Sequence, residues 1–71
     1  MSHFLRAMHS RSPFLRLPQV KEITKLSKST IYRMMDEGKF PKQIALSPRT
    51  VVWVRTQVDD WCMKKISKTL R

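Results

Sequence analysis

The sequence is short of cysteine, glycine and acidic residues, and each shortage excludes a class of protein. Its one cysteine, Cys62, excludes an internal disulfide and a cysteine-rich zinc site. One glycine and few aromatic residues leave no glycine-rich or paired-aromatic platform of the kind that common RNA-binding modules use. The acidic residues that end one predicted helix and begin another form no carboxylate pair in an apolar setting. With no visible nucleophile and base either, we predict that the protein is not an enzyme and has no catalytic residues.

Long apolar runs are also missing. No stretch approaches the length of a membrane span, and Arg6 interrupts the apolar cluster near the N-terminus, which argues against a cleaved signal peptide. His3 and His9 have no carboxylate or thiol nearby in the sequence, so we predict neither a metal site nor a cofactor. We therefore expect a cytoplasmic protein with a reduced cysteine.

Positive charge is what the sequence has in excess. Fifteen Lys and Arg against five Asp and Glu give a net charge of +10 and a pI near 10.8. These residues run from Arg6 to Arg71, so the charge is not confined to a tail. It favours nucleic acid as the partner, with an anionic membrane surface second. A membrane surface fits less well, because the basic residues do not form one polar face beside a broad apolar one.

The stretch Leu26–Pro41 predicts a short helix over residues 28–37. Ser27 is a good N-cap, and Gly38 suits the left-handed position that follows a helix, while Pro41 prevents any continuation. At 100° per residue, three apolar side chains form one stripe that must be buried: Ile31, Met34 and Met35.

The opposite side of this helix is polar. Ser29 and Arg33 point away from the apolar stripe, with Thr30 and Tyr32 on its flanks. All four can hydrogen-bond to base edges or phosphates, and a polyanion would meet the first two turns, where the helix dipole is positive. Taken alone, the pattern fits a solvated amphipathic helix equally well.

Two further helices flank this stretch. The first is predicted over Leu17–Thr24, with Pro18 in its first turn and Val20 and Ile23 facing inward. The other begins after a cap at Thr56, which pairs with Asp59 in a short-armed capping box. Its inner stripe is Val58, Trp61 and Cys62, continued by Ile66.

Between the second and third helices, the spacing of apolar residues changes from that of a helix to that of a strand. Residues 42–46 and 51–54 predict a β-hairpin, with Ser47–Thr50 as a turn that carries proline at its second position. The pattern leaves open which face of the second strand is inside. We favour the face of Trp53, because its large ring gains most from burial.

Together these elements predict a mainly α fold with a small β-hairpin. The order helix, helix, hairpin, helix is that of a winged helix-turn-helix. We expect residues 15–71 to form this domain and residues 1–14 to be a mobile basic arm.

Residues 15–61 resemble the AlpA family of phage and prophage regulatory proteins. The matching pieces are Leu17-Pro18, Leu26-Ser27, the run from Ser29 to Arg33, the run from Gly38 to Pro41, and the pair Trp53 and Trp61. The family is similar to MerR-like winged helix-turn-helix proteins and to small phage excisionases, and its members are DNA-binding regulators. The sequence departs from it at Lys25, where glycine is usual, which implies a side chain in a position that needs positive φ. The arm before Leu15 is also longer than is typical.

The resemblance implies a function and a set of contact residues. The function is sequence-specific regulation of phage or prophage transcription, with helix 28–37 in the major groove and the wing, 42–54, on the backbone or minor groove. The alternative is an excisionase that bends double-stranded DNA for an integrase, which would then be a partner. Without a long heptad for a zipper, a monomer that self-associates cooperatively on DNA fits either function. The predicted DNA-binding residues are Ser27, Lys28, Ser29, Thr30, Tyr32, Arg33, Lys39 and Arg49.

Overall fold

The computed structural model describes residues 12–69, and this part of the chain holds three helices and three strands. In chain order they are β1 (Phe14–Leu15), α1 (Leu17–Thr24), α2 (Lys28–Asp36), β2 (Ile44–Ser47), β3 (Thr50–Val54) and α3 (Arg55–Thr69). The prediction of a mainly α fold with a small antiparallel hairpin is confirmed, and the architecture is compatible with a winged helix.

Helix α1 has the predicted bounds but a slightly different inner face. The Arg16 N–H donates to Gln19 Oε1 at 2.8 Å, which closes its first turn. Val20 is fully buried, but Ile23, predicted to face inward, is 38% exposed. The buried stripe is centred on Val20 and Thr24, so Ile23 falls beyond its edge.

The connection from α1 to α2 turns at Lys25, whose φ is 61°. The predicted positive φ is therefore confirmed, with a lysine where the resemblance leads one to expect glycine. The Lys25 N–H donates to Lys21 O at 2.8 Å. Thr24 Oγ1 donates to Val20 O at 2.8 Å and accepts from the Leu26 N–H at 3.3 Å. These bonds satisfy the end of α1 and hold the turn in this strained conformation.

Helix α2 begins and ends on the predicted signals. Ser27 Oγ accepts from the Thr30 N–H at 3.3 Å. After Glu37 at the C-cap, Gly38 takes φ 73°. The Gly38 N–H donates to Met35 O at 3.1 Å and the Lys39 N–H to Met34 O at 2.7 Å. This is the Schellman arrangement, and it sends the chain away from the helix axis.

The sheet has the order β1-β3-β2, with both pairings antiparallel. The hairpin turns at Pro48-Arg49 because Ser47 pairs with Thr50, and strand β2 begins at Ile44 rather than at residue 42 as predicted. The strand β1 was not predicted: Phe14 pairs with Val54 and Leu15 with Trp53. Residues 12–14 thus contact the rest of the fold, and residues 1–11 of the predicted arm lie outside the described part.

Helix α3 follows β3 directly and begins at Arg55, so the predicted cap at Thr56 is wrong. The Arg55 N–H donates to Pro13 O at 2.7 Å, and Arg55 Nε donates to Ser12 O at 2.7 Å. A backbone carbonyl from the start of the fold thus satisfies the first helical N–H, which leaves Thr56 inside the first turn.

One core cluster lies between the helices and the sheet. Trp53 is fully buried, as predicted, and its Nε1 donates to Pro41 O at 3.1 Å. Phe40, which was not predicted, is 4% exposed. The buried members of the cluster are Leu15, Val20, Ile31, Phe40, Trp53 and Val58.

The predicted inner stripe of α3 is confirmed for its first three members. Val58 is buried, and Trp61 and Cys62 are partly buried against the core cluster. The predicted continuation to Ile66 is wrong, since this side chain is 49% exposed. All side chains from Met63 to Thr69 are exposed, so the second half of α3 packs little on the rest of the domain.

Candidate nucleic-acid interface

The outer side of α2 is open to solvent. Ile31 is fully buried on the inner side, which turns Lys28, Ser29 and Arg33 outward. The Arg33 side chain is 65% exposed. The packing of α2 on the core therefore fixes which of its side chains can meet a partner.

Three hydroxyl groups gather at the start of α2. Ser27 Oγ, which caps the helix, also donates to Thr30 Oγ1 at 2.9 Å and lies 3.4 Å from Ser29 Oγ. Capping therefore occupies the Ser27 hydroxyl, whereas Ser29 and Thr30 retain hydrogen-bonding capacity. The first helical N–H groups and Lys28 add positive potential at the same end.

Among the predicted contact residues, Tyr32 is the one that also packs within the fold. Its hydroxyl donates to Gln43 Oε1 at 3.2 Å, and its ring meets that of Trp53 edge-on with centroids 6.2 Å apart. Tyr32 therefore joins α2 to the segment before β2. In this geometry its oxygen remains an acceptor for an outside donor.

Arg33 and Lys39 share one carboxylate. Glu37 Oε2 lies 4.0 Å from Arg33 Nε, and Glu37 Oε1 lies 3.9 Å from Lys39 Nζ. All three side chains are largely exposed, and such pairs contribute little to stability. A phosphate or a base edge can replace Glu37 at small cost, so both cations are available to a polyanion.

Arg49 lies apart from the other predicted residues, in the two-residue loop of the hairpin. It is exposed, as are all four residues of β2. The structure thus brings together Ser27 to Thr30 in one turn of α2 and places Arg33 and Lys39 around Glu37. Arg49 is exposed on a different element, the hairpin loop.

Sequence reasoning missed two groups of residues near this surface. Gln43, which fixes the Tyr32 hydroxyl, gave no signal because its partner is 11 residues away. Lys64, Lys65 and Lys68 lie in the second half of α3, where the helix dipole by itself accounts for basic residues. Their i, i+4 spacing puts Lys64 and Lys68 on one side of α3, which was the available signal.

Cys62 is partly buried, and Asp59 lies close enough to affect its thiol. Burial raises the pKa of the Cys62 thiol, and the negative charge of Asp59 raises it further. Among residues 12–69, no three His, Cys, Asp or Glu side chains are grouped so that they could hold a metal ion. None of the helices described here is long and apolar enough to cross a bilayer.

Comparison with known proteins identifies the fold's relatives. Residues 13–66 match the family described as "Prophage CP4-57 regulatory protein (AlpA)". The "Uncharacterized protein ORF88" of Enterobacteria phage P4 is 39% identical over 54 residues, which are 76% of this chain and 61% of that protein. The "DNA-binding transcriptional activator AlpA" of Escherichia coli (strain K12) is 30% identical over 66 residues, covering 82% of this chain and 94% of its own length. The chain thus spans less than two thirds of the phage P4 protein.

Proposed function

The chain belongs to the AlpA family of prophage regulatory proteins, and from this premise we propose that it is a sequence-specific DNA-binding regulator of phage or prophage transcription. The activator of E. coli is described as DNA-binding, and the net charge of +10 suits the same partner here. The proposed role is binding rather than catalysis, and we place it in the cytoplasm.

One observation carries the proposal: α2 presents an exposed polar face at its N-terminal turns while its opposite side is locked into the core. Ser29, Thr30 and Arg33 project from that face. A major groove about 12 Å wide admits one α-helix, and such helices read bases with their N-terminal residues. Residues 15–71 would then act as a winged helix-turn-helix, with α1 and α2 as its two helices.

The remaining predicted residues support and position that helix. Ser27 holds the first turn, Lys28 and Lys39 face phosphates at the two ends of α2, and the Tyr32 oxygen accepts from a base or water at the edge of the groove. Arg49, on the hairpin loop, reaches the backbone or the adjacent minor groove. Phosphate contacts of this kind fix orientation, while base contacts give specificity.

The first experiment is a footprint on double-stranded DNA from the genome that surrounds the gene. We expect protection of a short defined site near a promoter, with cooperative filling where sites are adjacent. Protected direct repeats at an attachment site, together with bending of the DNA, would instead identify an excisionase that works with an integrase. Binding without any preferred site would contradict sequence-specific regulation.

A second experiment tests direct readout by Arg33. The Arg33→Ala variant is expected to weaken binding to the preferred site by about 1–3 kcal/mol and to relax preference at one base pair, because a bidentate guanidinium contact is lost. Affinities on a set of single-base site variants measure both effects. Arg33→Lys is the matched control, since it keeps the charge and loses the fork geometry. Unchanged base preference in Arg33→Ala would refute readout by this residue.

A further inference from the structure

Two adjoining depressions lie between α3 and the segment that joins α2 to β2. The larger has a volume of about 670 Å³ and the smaller about 490 Å³, and both are lined by Lys39, Trp61 and Lys64. The two depressions adjoin at these shared residues and are described together as one groove. We call it the Trp61 groove.

The indole in this groove is held rigidly. Trp61 Nε1 donates to Lys39 O at 2.8 Å, and the ring packs edge-on against Phe40 with centroids 4.9 Å apart. Lys65 Nζ lies 5.4 Å from the ring centroid, in cation–π range. The exposed part of the indole is therefore a fixed apolar platform, and Ile44, which is 41% exposed, extends it.

The rim of the groove is strongly basic. One carboxylate lines it, that of Asp60, which is 3.1 Å from Lys64 Nζ. Against Asp60, and Glu37 at 3.9 Å from Lys39 Nζ, stand the lysines of the two depressions, which are Lys39, Lys42, Lys64, Lys65 and Lys68. An apolar floor with a cationic rim complements an acidic chain that carries apolar side chains.

We propose that the Trp61 groove docks an acidic amphipathic segment of a partner protein. One aromatic or branched side chain of that segment would cover the indole, and its carboxylates would pair with Lys64, Lys65 and Lys68. A DNA duplex fits this surface less well, because its convex backbone would reach the rim lysines and leave the apolar floor uncovered.

The groove and the proposed DNA-reading turn can be used together. The groove begins at Gly38, beyond the C-terminal end of α2, whereas Ser29 and Thr30 lie in the first turn of α2. Nine residues of helix separate the two ends by about 13 Å. Of the proposed DNA contacts only Lys39 also lines the groove. One domain would therefore hold DNA through the first turns of α2 and a second protein through the lysines of α3.

The test uses the full chain and a synthetic 12-residue peptide in which Asp and Glu alternate with Leu and Phe. Titration calorimetry and tryptophan fluorescence follow binding. We expect saturable one-to-one binding that weakens at least tenfold in the double variant Lys64→Glu, Lys68→Glu. The double variant Lys21→Glu, Lys25→Glu, at two exposed lysines outside the groove, makes the same change in net charge and is expected to change affinity less than twofold. A peptide with Ala in place of Leu and Phe is expected to bind at least tenfold more weakly.

Two results would overturn the proposal. Equal affinity for the Ala peptide would show that charge attraction without apolar docking explains the binding. Displacement of the peptide by the preferred DNA site would show that the groove is part of the DNA surface, whereas simultaneous binding of both supports the proposal. Wild-type DNA binding is measured in parallel, so a failure of the proposed regulatory function would be seen separately from a failure of peptide docking.

Discussion

Lys25 has a left-handed backbone conformation that is unfavourable for a residue with a side chain. Its φ of 61° is costly for any residue with a Cβ, and its ion pair with Glu22 is too exposed to compensate. We expect Lys25→Gly to raise the free energy of unfolding by about 0.5–1 kcal/mol, because relief of the strain exceeds the entropy that glycine loses on folding. Denaturant unfolding measures the change.

A matched glycine substitution separates strain from other effects. Lys21→Gly, at an ordinary helical position in α1, is expected to lower the free energy of unfolding by about 1 kcal/mol. If the free energy of unfolding rises in Lys25→Gly and falls in Lys21→Gly, the backbone strain lies at Lys25. A loss of stability in both would show that the turn imposes no penalty on a side chain.

Cys62 offers a direct test of its surroundings, since it is the one cysteine of the chain. Burial, and then the charge of Asp59, raise its pKa, so the native thiol should be alkylated more slowly near pH 8 than the thiol of the unfolded chain. Iodoacetamide kinetics with and without denaturant measure this difference. Asp59→Asn is expected to speed the native reaction, and equal native and denatured rates would contradict the raised pKa.

The raised pKa of the Cys62 thiol also makes the stability of the fold depend on pH. At a pH below the pKa of the unfolded thiol, Cys62 is neutral in both states and folding is unaffected. As the pH rises through that pKa, the unfolded chain ionises first, so the free energy of unfolding falls until the native thiol ionises as well.

At the scale of elements, the hairpin loop is the part whose DNA role is easiest to isolate. If Arg49 neutralises one phosphate, Arg49→Ala should reduce the slope of log K against log salt by about 0.9. If it enters the minor groove instead, the loss of affinity should grow when the flanking bases are A·T-rich. Salt titrations on two flanking sequences distinguish these cases.

Arg49→Lys is the control for this experiment, because it keeps the charge and should keep the salt slope. Pro48 restricts the conformations of the loop, which would lower the entropy lost if its tip docks on DNA. If Arg49→Ala binds both DNAs with the same affinity and the same salt slope as the wild type, the hairpin loop makes no DNA contact.

Elements with local signals could be predicted, and those that depend on distant contacts could not. Helix α2 begins at Ser27 and ends before Gly38 through hydrogen bonds between residues only a few positions apart. Both ends could therefore be predicted from the local sequence. Strand β1 is too short to show a period of two, and α3 begins where Pro13 supplies a carbonyl from far along the chain. The DNA contact residues stay predictions, because the exposure of a side chain does not identify what it binds.

At the scale of the whole domain, one indole occupies the centre of the core. Trp53 is fully buried and donates to Pro41 O, so Trp53→Ala removes packing and leaves that carbonyl without its donor. We expect a loss of about 3–5 kcal/mol, close to the whole stability of a small domain. Calorimetric melting should show little or no cooperative transition.

Trp61 gives the comparison for that experiment. Its ring is partly buried at the edge of the core, so Trp61→Ala is expected to cost less, about 1–2 kcal/mol, with a cooperative transition retained. Equal losses in the two variants would mean that Trp61 is as central to the core as Trp53.

Strand β1 has a consequence for the time course of folding. It pairs with β3, and the bond from Arg55 Nε to Ser12 O spans 43 positions of the chain. The loop between these residues must close before β1 contributes any free energy, whereas α1, α2 and the hairpin form from near neighbours. Strand β1 should therefore dock after the main barrier has been crossed. Substitutions there would leave the folding rate nearly unchanged and shorten the lifetime of the native state.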